Sequence, residues 1–224
     1  MKYYIALIIS LSITISCAQS SPENKTGTWL TYSGNHRVSE KISINTYAQI
    51  WQYEIGENFN FLLLNTGINY HISSKFTVTI SYGFADIDSG YNTNTAHTFE
   101  NRLYEQIAFK HKIKTLSIDH RFRTEQRFFN KPESNKTSHR LRYRIGTKIK
   151  LNKNLFIRLN NEILSTIEND INTENRFYSA LGINISKSSN IQIGYLNQKK
   201  NKLNLHRLQI GIFIKTNHIK KNNI

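Results

Sequence analysis

The sequence predicts an all-β protein, a transmembrane antiparallel up-and-down β-barrel of about 10–12 strands. Three observations lead there. Apolar and polar residues alternate with period two along most of the chain, the alternating segments run to about 9–13 residues, and the connections between them alternate short and long. A tilted strand that crosses a membrane needs about 9–11 residues, whereas strands of soluble proteins average about 5–6.

The first element is not part of the barrel. Lys2, an apolar stretch from Tyr3 to Ile15 and the small-x-small triplet Ser16-Cys17-Ala18 make residues 1–18 an export signal, which leaves 19–224 as the barrel domain. Lipid attachment at Cys17 is the alternative, although Thr14 stands where a lipoprotein signal places Leu. Cys17 is the only cysteine, so a chain cut before Gln19 has no disulfide and no thiolate chemistry. Beyond the signal the longest apolar run is Phe61 to Leu64, far short of the ~18 residues of a spanning helix.

The strand segments follow in order. Trp29 to His36 is the weakest, a partial strand or a plug by its pattern. Ile42 to Tyr53 and Phe59 to His71 come next, and "FTVTISYGFAD" is the cleanest, with Phe76, Val78, Ile80, Tyr82 and Phe84 opposite Thr77, Thr79, Ser81, Gly83 and Ala85. The same split recurs at Phe99 to His111, Thr115 to Phe128, His139 to Leu151, Leu155 to Leu164, Asn175 to Ile185, Ile191 to Gln198 and His206 to Ile214. Connections such as "HISSKF" and "SKSSNI" are short, while "DIDSGYNTNTAHT", "FNKPESNKTS", "STIENDINTEN" and "NQKKNKLNL" are long and polar, the pattern of short periplasmic turns and longer outer loops. Eleven segments is an odd number, whereas a barrel with both termini in the periplasm needs an even one, so the expected count spans 10–12.

The charges decide which face is which. In "SIDHRFRTEQRF", Asp119, Arg121, Arg123, Glu125 and Arg127 share one face, and Ile118, His120, Phe122, Thr124, Gln126 and Phe128 share the other. Turning three arginines toward lipid would cost roughly 6–12 kcal/mol, comparable to the whole stability of a domain, so the charged face must line the lumen. The next segment repeats the arrangement with Arg140, Arg142 and Arg144, and other strands add Glu100, Arg102, Arg158, Glu162 and Arg176. These thirteen residues are the predicted lumen charge cluster. Two roles follow from it: an interlocked hydrogen-bonded lattice that fills a narrow interior, or a path in which surplus positive charge favours anions. Small anionic solutes and outer-membrane lipid are the partners such a barrel implies. Aromatics at segment ends, Trp51, Tyr53, Tyr70, Phe76, Phe99 and Phe128, are candidates for interfacial girdles.

"GTWLTYSGNHRVSEKISINTYAQIW", "LLLNTGINYHIS", "ENRLYEQ", "DHRFRTEQRF", "RLRYRIGTKI", "NEIL", "NRFYSALGINIS" and "IQIGYLNQ" together resemble an outer-membrane barrel family of Bacteroidota catalogued only as a domain of unknown function. Glu100-Asn101-Arg102, Arg140-x-Arg142-Tyr143-Arg144, Asn161-Glu162 and Asn175-Arg176 are its most specific parts. The resemblance implies one barrel in the cell outer membrane and no particular activity. The C-terminus departs from the common barrel ending on an aromatic residue, because "FIKTNHIKKNNI" trails into a polar tail.

Other functional classes fit less well. The net charge of +15 invites nucleic acid, but a stacking platform needs aromatics and arginines on one face, and here they lie on opposite faces. No histidine has a nucleophile or carboxylate at a recognisable spacing, so an enzyme is not expected, and neither a cofactor nor a metal site is suggested by the motifs. A barrel-embedded enzyme and a soluble, secreted lipocalin-like binding protein stand as the alternatives; the latter would carry its apolar residues inside.

Overall fold

The structure is a computed structural model and describes residues 25–91, 96–131, 134–168, 170–201 and 203–219. The export signal expected at residues 1–18 lies outside the described residues. Eleven strands close into one barrel: β1 (Thr26–Arg37), β2 (Ile42–Gln52), β3 (Phe59–His71), β4 (Phe76–Ile87), β5 (Thr98–Ile113), β6 (Leu116–Asn130), β7 (Asn135–Lys150), β8 (Leu155–Ile167), β9 (Ile171–Asn184), β10 (Ser189–Lys200) and β11 (Leu203–Asn217).

Each strand is antiparallel to its sequence neighbour, and the barrel closes through one parallel pair, β1 with β11, in register from Thr26 opposite His206 to Arg37 opposite Asn217. This pair accommodates the odd count: β1 enters at the rim of the 53–58 and 88–97 connections and β11 leaves at the other. The Trp29 segment is thus a full strand and the closing seam. It looked weak because Ser33, Gly34, Asn35 and His36 carry little hydrophobic contrast, whereas their backbone groups pair on both sides.

Following Cα partners from Leu30 through Ile50, Leu62, Asp86, Phe99, Asn130 and Asn135, and carrying the later registers forward, returns to β1 about 14 residues from the start, a shear that sets a tilt of roughly 40° and a backbone radius of roughly 11 Å. Long side chains from facing walls meet across such an interior.

The two rims are built differently. At the turn rim, residues 38–41, 72–75, 151–154 and 185–188 repeat one device: Ser39, Ser73, Asn152 or Ser186 accepts hydrogen bonds from backbone N–H groups two or three residues on. Short polar side chains that bond the local backbone are what tight turns select. At the other rim, three of the four long connections foreseen from sequence are largely strand. Phe128, Phe129 and Asn130 pair with Thr137, Lys136 and Asn135, and Thr166 and Ile167 pair with Asn172 and Ile171. Hydrophobic alternation fades there, yet the backbone ladder continues because its donors and acceptors still need partners. Only 88–97 remains long. Its base is tied down by Glu54, which accepts from Tyr91 Oη (2.7 Å), Asn58 Nδ2 (3.1 Å) and Lys25 Nζ (3.3 Å). The Tyr91 hydroxyl and then the Lys25 ammonium hold the Glu54 carboxyl below its ordinary range.

The polarity of the wall is inverted relative to a barrel that lives in water. Ile68, Ile80, Phe122, Leu181 and Ile193 point outward and are more than half exposed, while Glu100, Arg102 and Glu125 are at most 3% exposed inside. Polar groups that interrupt the outer face bond one another, as where Glu105 accepts from Thr124 Oγ1 (2.7 Å) and Gln126 Nε2 (3.3 Å) and where Asn161 and Asn175 exchange hydrogen bonds (3.0 and 3.2 Å). Among the expected girdle aromatics, Tyr70, Phe99 and Phe128 are exposed, but Trp51 points inward. Its register opposite Trp29 places both indoles on the lumen side, although its position near a strand end equally suits an interfacial girdle.

Inside, crowding fixes side-chain size. A Cβ on Gly182 would lie 2.1 Å from the ring of Phe156, which is itself fully buried and capped by Lys148 Nζ at 3.5 Å from its centroid. Gly182→Ala is expected to cost about 1–3 kcal/mol, read as a lowered urea midpoint of the refolded barrel.

Candidate functional site

Period two places the charged residues of β5 to β8 on one continuous inner wall, and the antiparallel register decides which of them meet. Arg127 faces Arg102, Arg140 faces Glu125, Arg142 faces Arg123, Arg144 faces Arg121, and Glu162 faces Arg144. Opposed arginines would repel, so stability depends on carboxylates reaching between them.

Four carboxylates do so. Glu100 accepts from Arg102 Nε (2.6 Å) and from the Arg127 fork, Nε at 2.9 Å and Nη2 at 2.7 Å. Glu125 accepts from Arg140 Nε (2.7 Å), Arg142 Nη1 (2.8 Å) and Arg123 Nη1 (3.4 Å), with Arg102 Nε at 4.0 Å. Glu162 takes Arg121 Nη2 (2.5 Å) and both Nε and Nη2 of Arg142 (3.1 and 2.8 Å). Asp119 takes both terminal nitrogens of Arg158 (2.6 and 2.9 Å) and Arg144 Nη2 (3.1 Å). Arg142 bridges Glu125 and Glu162, which joins two of these groups into one lattice. The fifth buried carboxylate, Glu174, pairs with Arg176 and accepts from Gln198 Nε2 (2.8 Å). Bidentate, charge-assisted contacts of this kind are the strongest hydrogen bonds a protein makes.

The structure therefore brings together Glu100, Arg102, Asp119, Arg121, Arg123, Glu125, Arg127, Arg140, Arg142, Arg144, Arg158 and Glu162, with Arg176 opposite Glu162 on β9 and ion-paired to Glu174. Glu174 is absent from the cluster expected from sequence, because it precedes the clean alternation of Asn175 to Ile185. The extension of β9 back to Ile171 brings it into the wall. Arg123 is a special case: its guanidinium lies 3.9 Å from the Tyr104 ring centroid and donates Nε and Nη2 to Gln106 Oε1.

Across the bore, the inner face of β2 to β4 carries no Lys, Arg, Asp or Glu, and Arg207 of β11 is buried beside β1. Small polar residues link there, Gln49 to Thr31 (3.0 Å), Asn69 to Ser43 (3.1 Å) and Thr79 to Asn69 (2.8 Å). Above them Trp29 and Trp51 stack at 4.0 Å and 2°, Phe61 adds a third ring, and Trp29 reaches across to Tyr178, Ala180 and Leu196. Arg176 sits 5.1 Å and 5.3 Å from the two indole centroids. Rings and guanidinium groups thus pack across the bore. What the arrangement offers chemically is hydrogen-bond donation to anions; among the described residues no group of His, Cys, Asp and Glu is placed to hold a metal.

A family model described as "Protein of unknown function (DUF2490)" matches residues 26–209, which is nearly all of β1 to β11. The chain belongs to the DUF2490 family. That match covers the charged wall and, of the closing seam, all of β1 and the first half of β11. No curated protein matches this DUF2490 chain. Among solved structures it is similar to the siderophore receptor PirA from Pseudomonas aeruginosa, at 9% identity and a TM-score of 0.36, over 79% of this chain and 35% of that one. The DUF2490 chain thus spans about a third of the receptor's length.

Proposed function

We propose that this protein is a β-barrel of the Gram-negative outer membrane whose lumen is closed by an arginine–carboxylate lattice, a structural barrel with a narrow anion-favouring path and no enzymatic role. The inverted wall carries the reading: a belt of exposed Ile, Leu and Phe surrounds a buried charged interior, which is favourable only where the surroundings are hydrocarbon. With a backbone radius of roughly 11 Å, facing Arg, Trp and Tyr side chains leave no wide bore. Anion preference is the second component, because eight arginines on β5 to β8 face four carboxylates, and rings of arginine attract anions. Outer-membrane lipid and small anionic solutes are its partners.

Purified protein in planar bilayers tests this. Brief, small, anion-selective steps or silence are expected, together with heat-modifiable gel mobility; porin-sized conductance, or fractionation as a soluble periplasmic monomer, overturns the proposal. Replacing Arg123 and Arg142 together by Ala is expected to raise conductance severalfold while reducing anion preference.

A further inference from the structure

We propose that the lattice has one more member, a small tetrahedral oxyanion of the phosphate class held at the step between Arg121 and Arg144. The two are directly opposite on β6 and β7, which places their Cα atoms about 4.5–5.5 Å apart. Each gives one terminal nitrogen to a carboxylate, Arg121 to Glu162 and Arg144 to Asp119. The Nε–H of each is buried and has no acceptor among the described residues. A buried donor left unbonded keeps its full desolvation penalty, larger when it is charged, and here two of them belong to like charges set side by side.

The surrounding charge points the same way. The eight arginines of β5 to β8 exceed the four carboxylates by four, and an interior closed by packed side chains cannot leave that surplus to bulk counterions. The acids beside the step are Glu162 and Asp119, and both are already engaged, Glu162 by Arg121 and Arg142 and Asp119 by Arg144 and Arg158. Guanidinium edges present paired N–H groups in a plane, which suits an oxyanion taking two bonds from each better than a spherical chloride. The inference rests on the reading of the lumen as a closed, charged interior, and turns part of the surplus from a path into a seat.

The test uses the full barrel folded in detergent, its thermal unfolding followed with sodium phosphate or sodium chloride at matched ionic strength. With about 10 mM phosphate and a Kd of about 0.1 mM, a rise of about 5–10 °C over chloride is expected for a barrel of this size. Arg121→Gln should abolish the phosphate-specific rise and Arg121→Lys should weaken it. Equilibrium dialysis with labelled phosphate, which needs only the wild-type protein, should show about one ion per barrel. Equal responses to chloride and phosphate, an undiminished rise in Arg121→Gln, or no bound phosphate overturn the seat. Membrane fractionation reports separately: a soluble barrel that binds phosphate sinks only the membrane reading, and a membrane barrel without binding sinks only the seat.

Discussion

Glu125→Ala is expected to destabilise the folded barrel by about 3–5 kcal/mol, measured as a large drop in urea midpoint in lipid vesicles. The residue is 1% exposed, and its two oxygens satisfy Arg140, Arg142 and Arg123 while Arg102 stands at 4.0 Å. Removing it leaves Arg102 and Arg140, both buried, facing each other's charge with one fewer counterion. Arg142 keeps Glu162, so the loss is concentrated on the Arg140 side of the lattice. Glu125→Gln keeps an acceptor but not the charge, and should fall between alanine and wild type. A variant that unfolds at the wild-type midpoint would show that the arginines are solvated, as in an open, water-filled pore.

Ile193→Arg is the second large effect, and it reads the surroundings of the outer wall. Ile193 is 54% exposed at the middle of β10, with Leu181 and Ile210 beside it on the neighbouring strands and no carboxylate among those partners. If hydrocarbon covers this face, the substitution costs about 2–4 kcal/mol; if water covers it, the change stays within about 0.5 kcal/mol. Refolding into bilayers and comparing urea midpoints checks the prediction, and a near-zero difference would favour a soluble barrel.

The two variants probe opposite faces of one wall, and the separation of those faces was legible in the residues themselves. Arg140, Arg142 and Arg144 against Leu141, Tyr143 and Ile145 leaves no other assignment once a membrane or a core is invoked, because neighbouring side chains of a strand must point apart. Strand ends were less legible. Phe129, Asn135 and Glu174 belong to paired ladder, but polar extensions beyond the hydrophobic belt carry no alternation to mark them. Trp51 was assigned to the wrong side for a related reason: aromatic residues near strand ends suit an interface or an interior equally well, and only its stacking on Trp29 places it inside.

Local periodicity, then, was enough to dictate an all-β chain with a charged face and an apolar face, since that property depends on nothing but the alternation of side chains along an extended backbone. Closure was not encoded in any segment taken alone. That β1 pairs in parallel with β11, that eleven strands suffice, and that Arg121 is set against Arg144 while Glu125 is set against Arg140 all follow from register, a relation between segments far apart in the chain. The composition supplies a surplus of arginine; the register alone turns part of it into paired charge and leaves the buried Nε–H groups of Arg121 and Arg144 without an acceptor among the described residues.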